Sequence, residues 1–368
     1  MNPFSMNLSN FHSDILQQTH LGQLCGSQDL FRERYEILRI LGRGGFGVTF
    51  LARDAVLPGN QLCVIKQLCP KVNNPRSWER SRQRFEKEAM TLSQLGSHSQ
   101  IPRLLDYFEV NGEFYLVQEY VRGSTLAREI RRHGPKTEAA AKHVLRELLP
   151  VLQYIHSNRV IHRDIKPQNI IRCDDDGRLV LIDFGAVKEQ FVQPGETMHK
   201  SATTNFVGTM GFAPPEQFSL RPVYASDIYA LGVTCLYLLT GKAPLEFDHN
   251  SNTGEICWQN HVPNLSEHFA KVLGRMLKMS LEERFKTSDE VIRDLGLEAY
   301  LVSLTTCLSS QPLRGNVKKS EEPTDKYLPP VARTAGAIRE WRTKLKQKQS
   351  HLPNNKLKGW LLSSSTMI

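Results

Sequence analysis

The stretch His162-Arg163-Asp164-Ile165-Lys166-Pro167-Gln168-Asn169, with Asp183-Phe184-Gly185 a short way downstream, carries residue types that could do chemistry together. Asp164 can accept a hydroxyl proton, and Lys166 can sit against a phosphate as a point charge. Asn169 and Asp183 supply hard oxygen ligands of the kind Mg²⁺ accepts while keeping waters and phosphate oxygens at its other positions. Each residue alone has a plainer reading: Asp as a turn former, Asn as an Asx-turn, Lys as surface. Within about twenty residues they form the inventory that phosphoryl transfer needs.

The elements that must position these residues follow from periodicity. A long helix is expected over Thr137 to Ser157, with Val144, Leu148, Leu152 and Ile155 in register, and the Asp164 loop follows it. Short strands are expected at Asn169–Arg172 and Leu179–Ile182, joined by the turn Asp174-Asp175-Asp176-Gly177. That acidic run lacks the alternating ligands and terminal glutamate of a calcium loop, so it reads as a solvated turn.

Upstream, Tyr35–Leu41, Val48–Ala52 and Leu62–Leu68 read as three antiparallel strands, the first two joined by Gly42-Arg43-Gly44-Gly45-Phe46-Gly47. Taken alone, this G-x-G-x-x-G run is as readily an ordinary glycine hairpin as a nucleotide flap. β-formers rather than a helix follow it, which argues against a dinucleotide-binding βαβ unit. Lys66 on the third strand is placed to meet nucleotide phosphates under such a flap.

Trp78 to Leu95 has helical periodicity, with Phe85, Ala89, Leu92 and Leu95 on one side and Glu88 near that face. A glutamate there is ordinarily a solvated boundary residue; an ion pair orienting Lys66 explains it better. Strands at Leu104–Val110 and Glu113–Glu119 flank Asn111-Gly112, a strong hairpin signal. Tyr120 to Gly123 reads as a linker into helical sequence, starting with a short helix at Leu126–Arg132.

Length and charge set the outer limits. At 368 residues the chain exceeds what one core usually organises. Residues 1–34 are polar and weakly periodic, the composition of a flexible leader. After residue 310 there are 12 Lys/Arg and 4 Asp/Glu, so +8 of the net +9 lies in that segment. The remainder is near neutral, so a basic nucleic-acid-binding body is not indicated. Seven scattered cysteines without a Cys-x-x-Cys pair point to a reducing, cytoplasmic setting. The longest apolar run, Leu231 to Leu239, is too short to span a membrane.

In order along the chain stand Gly42-x-Gly44-x-x-Gly47, Val64-Ile65-Lys66, Glu88, His162-Arg163-Asp164-x-Lys166-x-x-Asn169, Asp183-Phe184-Gly185, Gly208-Thr209, Pro215-Glu216, Asp227-x-x-x-x-Gly232 and Arg284. From about Tyr35 to Leu297 this resembles the bacterial eukaryotic-like Ser/Thr protein kinases, and Leu41 to Asp54 is most similar to cyanobacterial members. The resemblance implies an α+β bilobal kinase fold, with an N-lobe at 35–120, a C-lobe at 121–297 and a basic tail at 298–368.

It further implies ATP and Mg²⁺, with Mn²⁺ as a substitute. Leu41, Gly42, Arg43, Gly44, Gly45, Phe46, Gly47 and Thr49 would cover the nucleotide, with Lys66 on its phosphates and paired to Glu88. Glu119 and Val121 would offer backbone groups to adenine, with Gln118 behind them. Asp164 would be the base, Asn169 and Asp183 the metal ligands. Glu216 would pair with Arg284, and Asp227 would brace the loop. Thr49, Val64 and Pro214 depart from the family's usual Val, Ala and Ala, but none removes a charge needed for transfer.

By the same resemblance, Lys166 and Thr209, which in the family flank the hydroxyl with the base, imply Ser/Thr rather than Tyr of proteins as acceptor. Arg163, next to the base, could hold a phosphate between Asp183 and Glu216, with self-phosphorylation expected at Thr203 or Thr204. In the tail, Ala335 to Gln347 could be a short helix with Ile338, Trp341 and Leu345 along one stripe. It reads first as solvated or docked, and more sharply as an attachment to an anionic membrane or an acidic partner. A scaffold that binds ATP without turnover, and a small-molecule kinase, are the alternative functions.

Overall fold

The computed structural model describes residues 19–43, 47–69, 75–96, 98–189 and 209–297. The flap tip Gly44, Gly45 and Phe46, the segment holding Thr203 and Thr204, and the whole tail from residue 298 lie outside the described residues, as do residues 1–18.

A six-stranded antiparallel sheet builds the first lobe, in spatial order β1-β2-β3-β4-β6-β5. Its strands are β1 (Leu30–Phe31), β2 (Tyr35–Arg43), β3 (Gly47–Asp54), β4 (Leu62–Leu68), β5 (Leu104–Val110) and β6 (Glu113–Glu119). The β5–β6 turn uses Asn111 at φ 54° and Gly112 at φ 79°, the two positive angles that a tight primed hairpin turn needs. In register, Lys66 lies between Thr49 on β3 and Leu116 on β6.

Strand β6 is buried almost throughout, because both faces of the sheet are covered. Alternation sends Phe114 and Leu116 to one face, under the long helix α2 (Pro75–Leu95), and Tyr115 and Val117 to the other. That outer face is closed by residues the sequence reading assigned to a flexible leader. Helix α1 (His20–Leu24) and strand β1 bring Leu21 and Phe31 into full burial, the Phe31 ring 4.8 Å from that of Tyr115. Arg32 lies 4.0 Å over Phe108, and Arg34 pairs with Asp54 at 2.7 Å. Residues 19–34 are therefore part of the folded lobe, and the leader boundary at 34 is corrected.

The second lobe is mainly helical. Helix α3 (Leu126–His133) and helix α4 (Glu138–Ser157) begin at Thr125 and Thr137, whose hydroxyls accept from Arg128 N and Ala140 N. Between α4 and the next helices run β8 (Val160–Ile161), β9 (Ile170–Cys173) and β10 (Leu179–Leu181), with β7 (Gly123–Thr125) pairing to β9 and β11 (Lys188–Glu189) to β8. Helices α5 (Pro215–Phe218), α6 (Tyr224–Thr240) and α7 (Glu267–Met276) follow, with further helical turns at 288–297. The apolar run at 231–239 is the C-terminal half of α6, enclosed on nearly all sides; no helix among the described residues is long and apolar enough to cross a membrane.

Candidate active site

The loop after β8 is built on a buried carboxylate. Asp227, in the first turn of α6, is fully enclosed and accepts from the His162 and Arg163 backbone N–H groups, both at 2.8 Å. His156, in the last turn of α4, meets the same carboxylate at 2.9 Å. Burial pushes the Asp227 carboxyl up, but the His156 contact, the nearby rings of His156 and His162 and the Arg163 N–H outweigh it, leaving its pKa low. Arg163 is held at φ 69° and its carbonyl accepts from Gln217 at 2.6 Å. A bulky residue in that region is strained, so the surrounding bonds must hold it there.

This frame delivers Asp164 to a crowded set of donors. Its Oδ1 accepts from Thr209 Oγ1 at 2.8 Å, and its Oδ2 from Lys166 Nζ at 2.7 Å and Asn169 Nδ2 at 2.9 Å. Lys166 Nζ also donates to Thr209 Oγ1 at 2.7 Å, closing a triangle of carboxylate, cation and hydroxyl. A hydroxyl taking the place of Thr209 Oγ1 on Asp164 would meet an acceptor for its proton and a cation for its developing charge.

Across the cleft, Lys66 Nζ donates to Glu88 on α2 and to Asp183 Oδ1, the latter at 3.3 Å. Burial would pull the Lys66 ammonium down; the carboxylates of Glu88 and Asp183 outweigh it and hold its pKa above the ordinary lysine value. Lys66 in turn draws the Asp183 carboxyl low against its burial. Glu88 is pushed up by burial, opposed by Lys66. Asp183 sits at φ 67°, and a Cβ at Gly185 would make a tight 3.1 Å contact with Glu88 Oε2.

The two sets face one cleft of about 920 Å³, lined from both lobes by Leu41, Gly42, Arg43, Gly47, Thr49, Lys66, Glu88, Glu119, Val121, Asp164, Lys166, Asn169, Asp183 and Thr209. Gly47 must be glycine, because a Cβ would stand 2.0 Å from the Gln67 carbonyl. Gln118 is buried opposite Val64 at the back of the cleft. Asn169 spends its amide on Asp164, at both the side chain and the backbone carbonyl, which leaves its carbonyl oxygen and the half-exposed Asp183 carboxylate as oxygen donors. Among the described residues no three His, Cys, Asp or Glu converge on one point, so a cation here would complete its shell from phosphate and water, as Mg²⁺ does.

Behind the site, Glu216 accepts from Arg284 Nη1 at 2.6 Å and Ser226 Oγ at 2.8 Å. Sequence reasoning placed Asp227, Glu216 and Arg284 but passed over His156, Gln217 and Ser226. The one signal for His156 was a histidine beside an otherwise apolar helix stripe. It also passed over Arg84 on α2, which is close enough to Arg163 to lower its pKa further once burial has done so.

A strand-rich lobe and a helical lobe closing on this cleft define the protein kinase fold. The family described as "Protein kinase domain" matches residues 35–294, and the chain belongs to that family. It is 48% identical to serine/threonine-protein kinase B of Synechocystis sp. over 323 residues, which cover 87% of this chain and 56% of the relative. It is 45% identical to PknA of Nostoc sp., over 74% of this chain and 49% of that one, and 41% identical to serine/threonine-protein kinase C of Synechocystis sp., over 80% and 56%. The chain thus spans about half the length of the curated relatives it matches.

Proposed function

We propose that the chain transfers the γ-phosphate of ATP to serine and threonine hydroxyls of proteins. The observation that carries this reading is the Asp164–Lys166–Thr209 triangle facing the Lys66–Glu88–Asp183 set across one cleft. Asp164 takes the acceptor proton, Lys166 steadies the transferring charge, and Lys66, held by Glu88, positions the nucleotide phosphates. Asn169 and Asp183 would hold Mg²⁺, which supplies neutralisation of phosphate charge when bound. Val121 makes no backbone hydrogen bond to another described residue outside the helices and strands, which leaves its N–H and C=O for adenine.

The acceptor class rests on Thr209. Its hydroxyl completes a short-range pocket around Asp164 that suits a small aliphatic hydroxyl. Regulation through Arg163 accords with burial of its side chain and with an Nε that has no partner among the described residues. A phosphate on Thr203 or Thr204 would give that guanidinium an anion.

Incorporation of labelled phosphate from ATP into a general protein acceptor tests the reading. Wild-type chain incorporates label and Asp164→Asn loses at least about a hundredfold. Equal, near-background incorporation in both sinks the transferase reading in favour of a scaffold. In the same assay, Thr203→Ala/Thr204→Ala that keeps full activity after phosphatase treatment removes the regulatory part.

A further inference from the structure

We infer that Arg128 and Arg131 on α3 select acceptor segments with carboxylates beside the phosphorylated hydroxyl, so that the chain's protein substrates are acidic around the acceptor; this rests on the kinase reading above. Both arginines are exposed, and both line the cleft that holds Asp164 and Lys66. No ion pair among the described residues uses either of them. The single carboxylate of their helix, Glu129, is turned inward to Arg172 at 3.0 Å and Lys136 at 3.7 Å.

The carboxylates of the cleft are already engaged. Asp164 is held by Lys166, Glu88 by Lys66, the half-exposed Asp183 also by Lys66 at 3.3 Å, and Glu119 by Arg103 at 3.6 Å. Arg39 and Arg43 on β2 add further exposed cations to the same lining. Neutral residues stand between α3 and the base: Gln168, and Thr125, whose hydroxyl caps α3. Among the described residues of this lining, no carboxylate is without a cation partner. A cleft rim with an excess of cations focuses its field on the opposite charge and gives specificity by repelling the wrong one.

The test uses the full chain and synthetic peptides that share one central threonine and differ only in carrying Glu, Gln or Lys at the flanking positions. At low salt the Glu-flanked peptide is expected to exceed the Lys-flanked one by about tenfold in kcat/KM, the scale that two exposed charge pairs reach together. The margin shrinks as salt rises. R128E/R131E reverses the order and R128Q/R131Q abolishes it. R132E, exposed on the same helix but outside the cleft lining, retains it.

Equal use of all three peptides by the wild-type chain overturns the inference and leaves the kinase reading standing. Transfer to none of them overturns both. If the arginine variants instead raise KM for ATP and keep the peptide order, the arginines belong to the nucleotide and the inference falls.

Discussion

Replacing Asp227 by asparagine keeps the side chain's volume and removes its charge, and the structure sets the cost. The carboxylate accepts three hydrogen bonds, two from backbone N–H groups and one from His156, with no exposure to water. If the asparagine carbonyl replaces the oxygen shared by His156 and the His162 N–H, its amide group confronts the Arg163 N–H, donor against donor. One charge-assisted bond of about 1.5–3 kcal/mol is lost, and a buried donor left unpaired costs about 1–3 kcal/mol more. The expected destabilisation is about 3–5 kcal/mol, read from urea unfolding at neutral pH.

The pH dependence has a definite sign. The folded pKa of Asp227 is depressed, so its contribution is fully present above the unfolded value of about 3.9 and is lost as pH falls through the folded one. The difference between wild type and Asp227→Asn therefore shrinks below about pH 4. Arg163, freed from its φ of 69°, would also let Asp164 drift, and kcat should fall about tenfold or more. A cost under about 1 kcal/mol at neutral pH, or a difference that widens in acid, refutes the argument.

Glu216→Ala leaves the fully buried Arg284 guanidinium without its carboxylate, at a cost of about 3–5 kcal/mol in denaturant unfolding. Glu216→Ala/Arg284→Met should cost less than the two single changes added, because the orphaned charge goes with its partner; strict additivity would count against the pair. Leu21→Ala opens a cavity in the outer core of the sheet and should cost about 2–5 kcal/mol in the full chain. A loss under about 1 kcal/mol would return residues 19–34 to the role of a leader.

The candidate site was legible because the chemistry proposed for it depends on residue type at fixed spacing. Asp164, Lys166 and Asn169 lie on one short loop, so sequence separation alone places them together. Strands β5 and β6 were legible to the residue, since Asn111-Gly112 states its own turn. Residues 19–34 were not, because their burial has no period: one leucine and one phenylalanine, ten residues apart, are buried with help from Arg32 over Phe108 and Arg34 against Asp54. Phe108 comes from β5, far along the chain. The angles of Arg163 and Asp183 were equally hidden, since neither is a glycine or asparagine. The first is imposed from outside by Asp227, a contact that exists only once α6 has docked.

That origin explains how the two halves of the site hold one another. From the helical lobe, α6 fixes the loop through Asp227, and the loop fixes Asp164. From the sheet lobe, α2 brings Glu88 to Lys66. The halves meet at Asp183 and Gly185: Asp183 touches Lys66, and the bare Cα of Gly185 lets Glu88 pass. Any shift of α2 that withdraws Glu88 leaves Lys66 to Asp183 alone. The lysine would then neutralise the carboxylate proposed to hold the metal, so the position of α2 and the readiness of Asp183 are one variable.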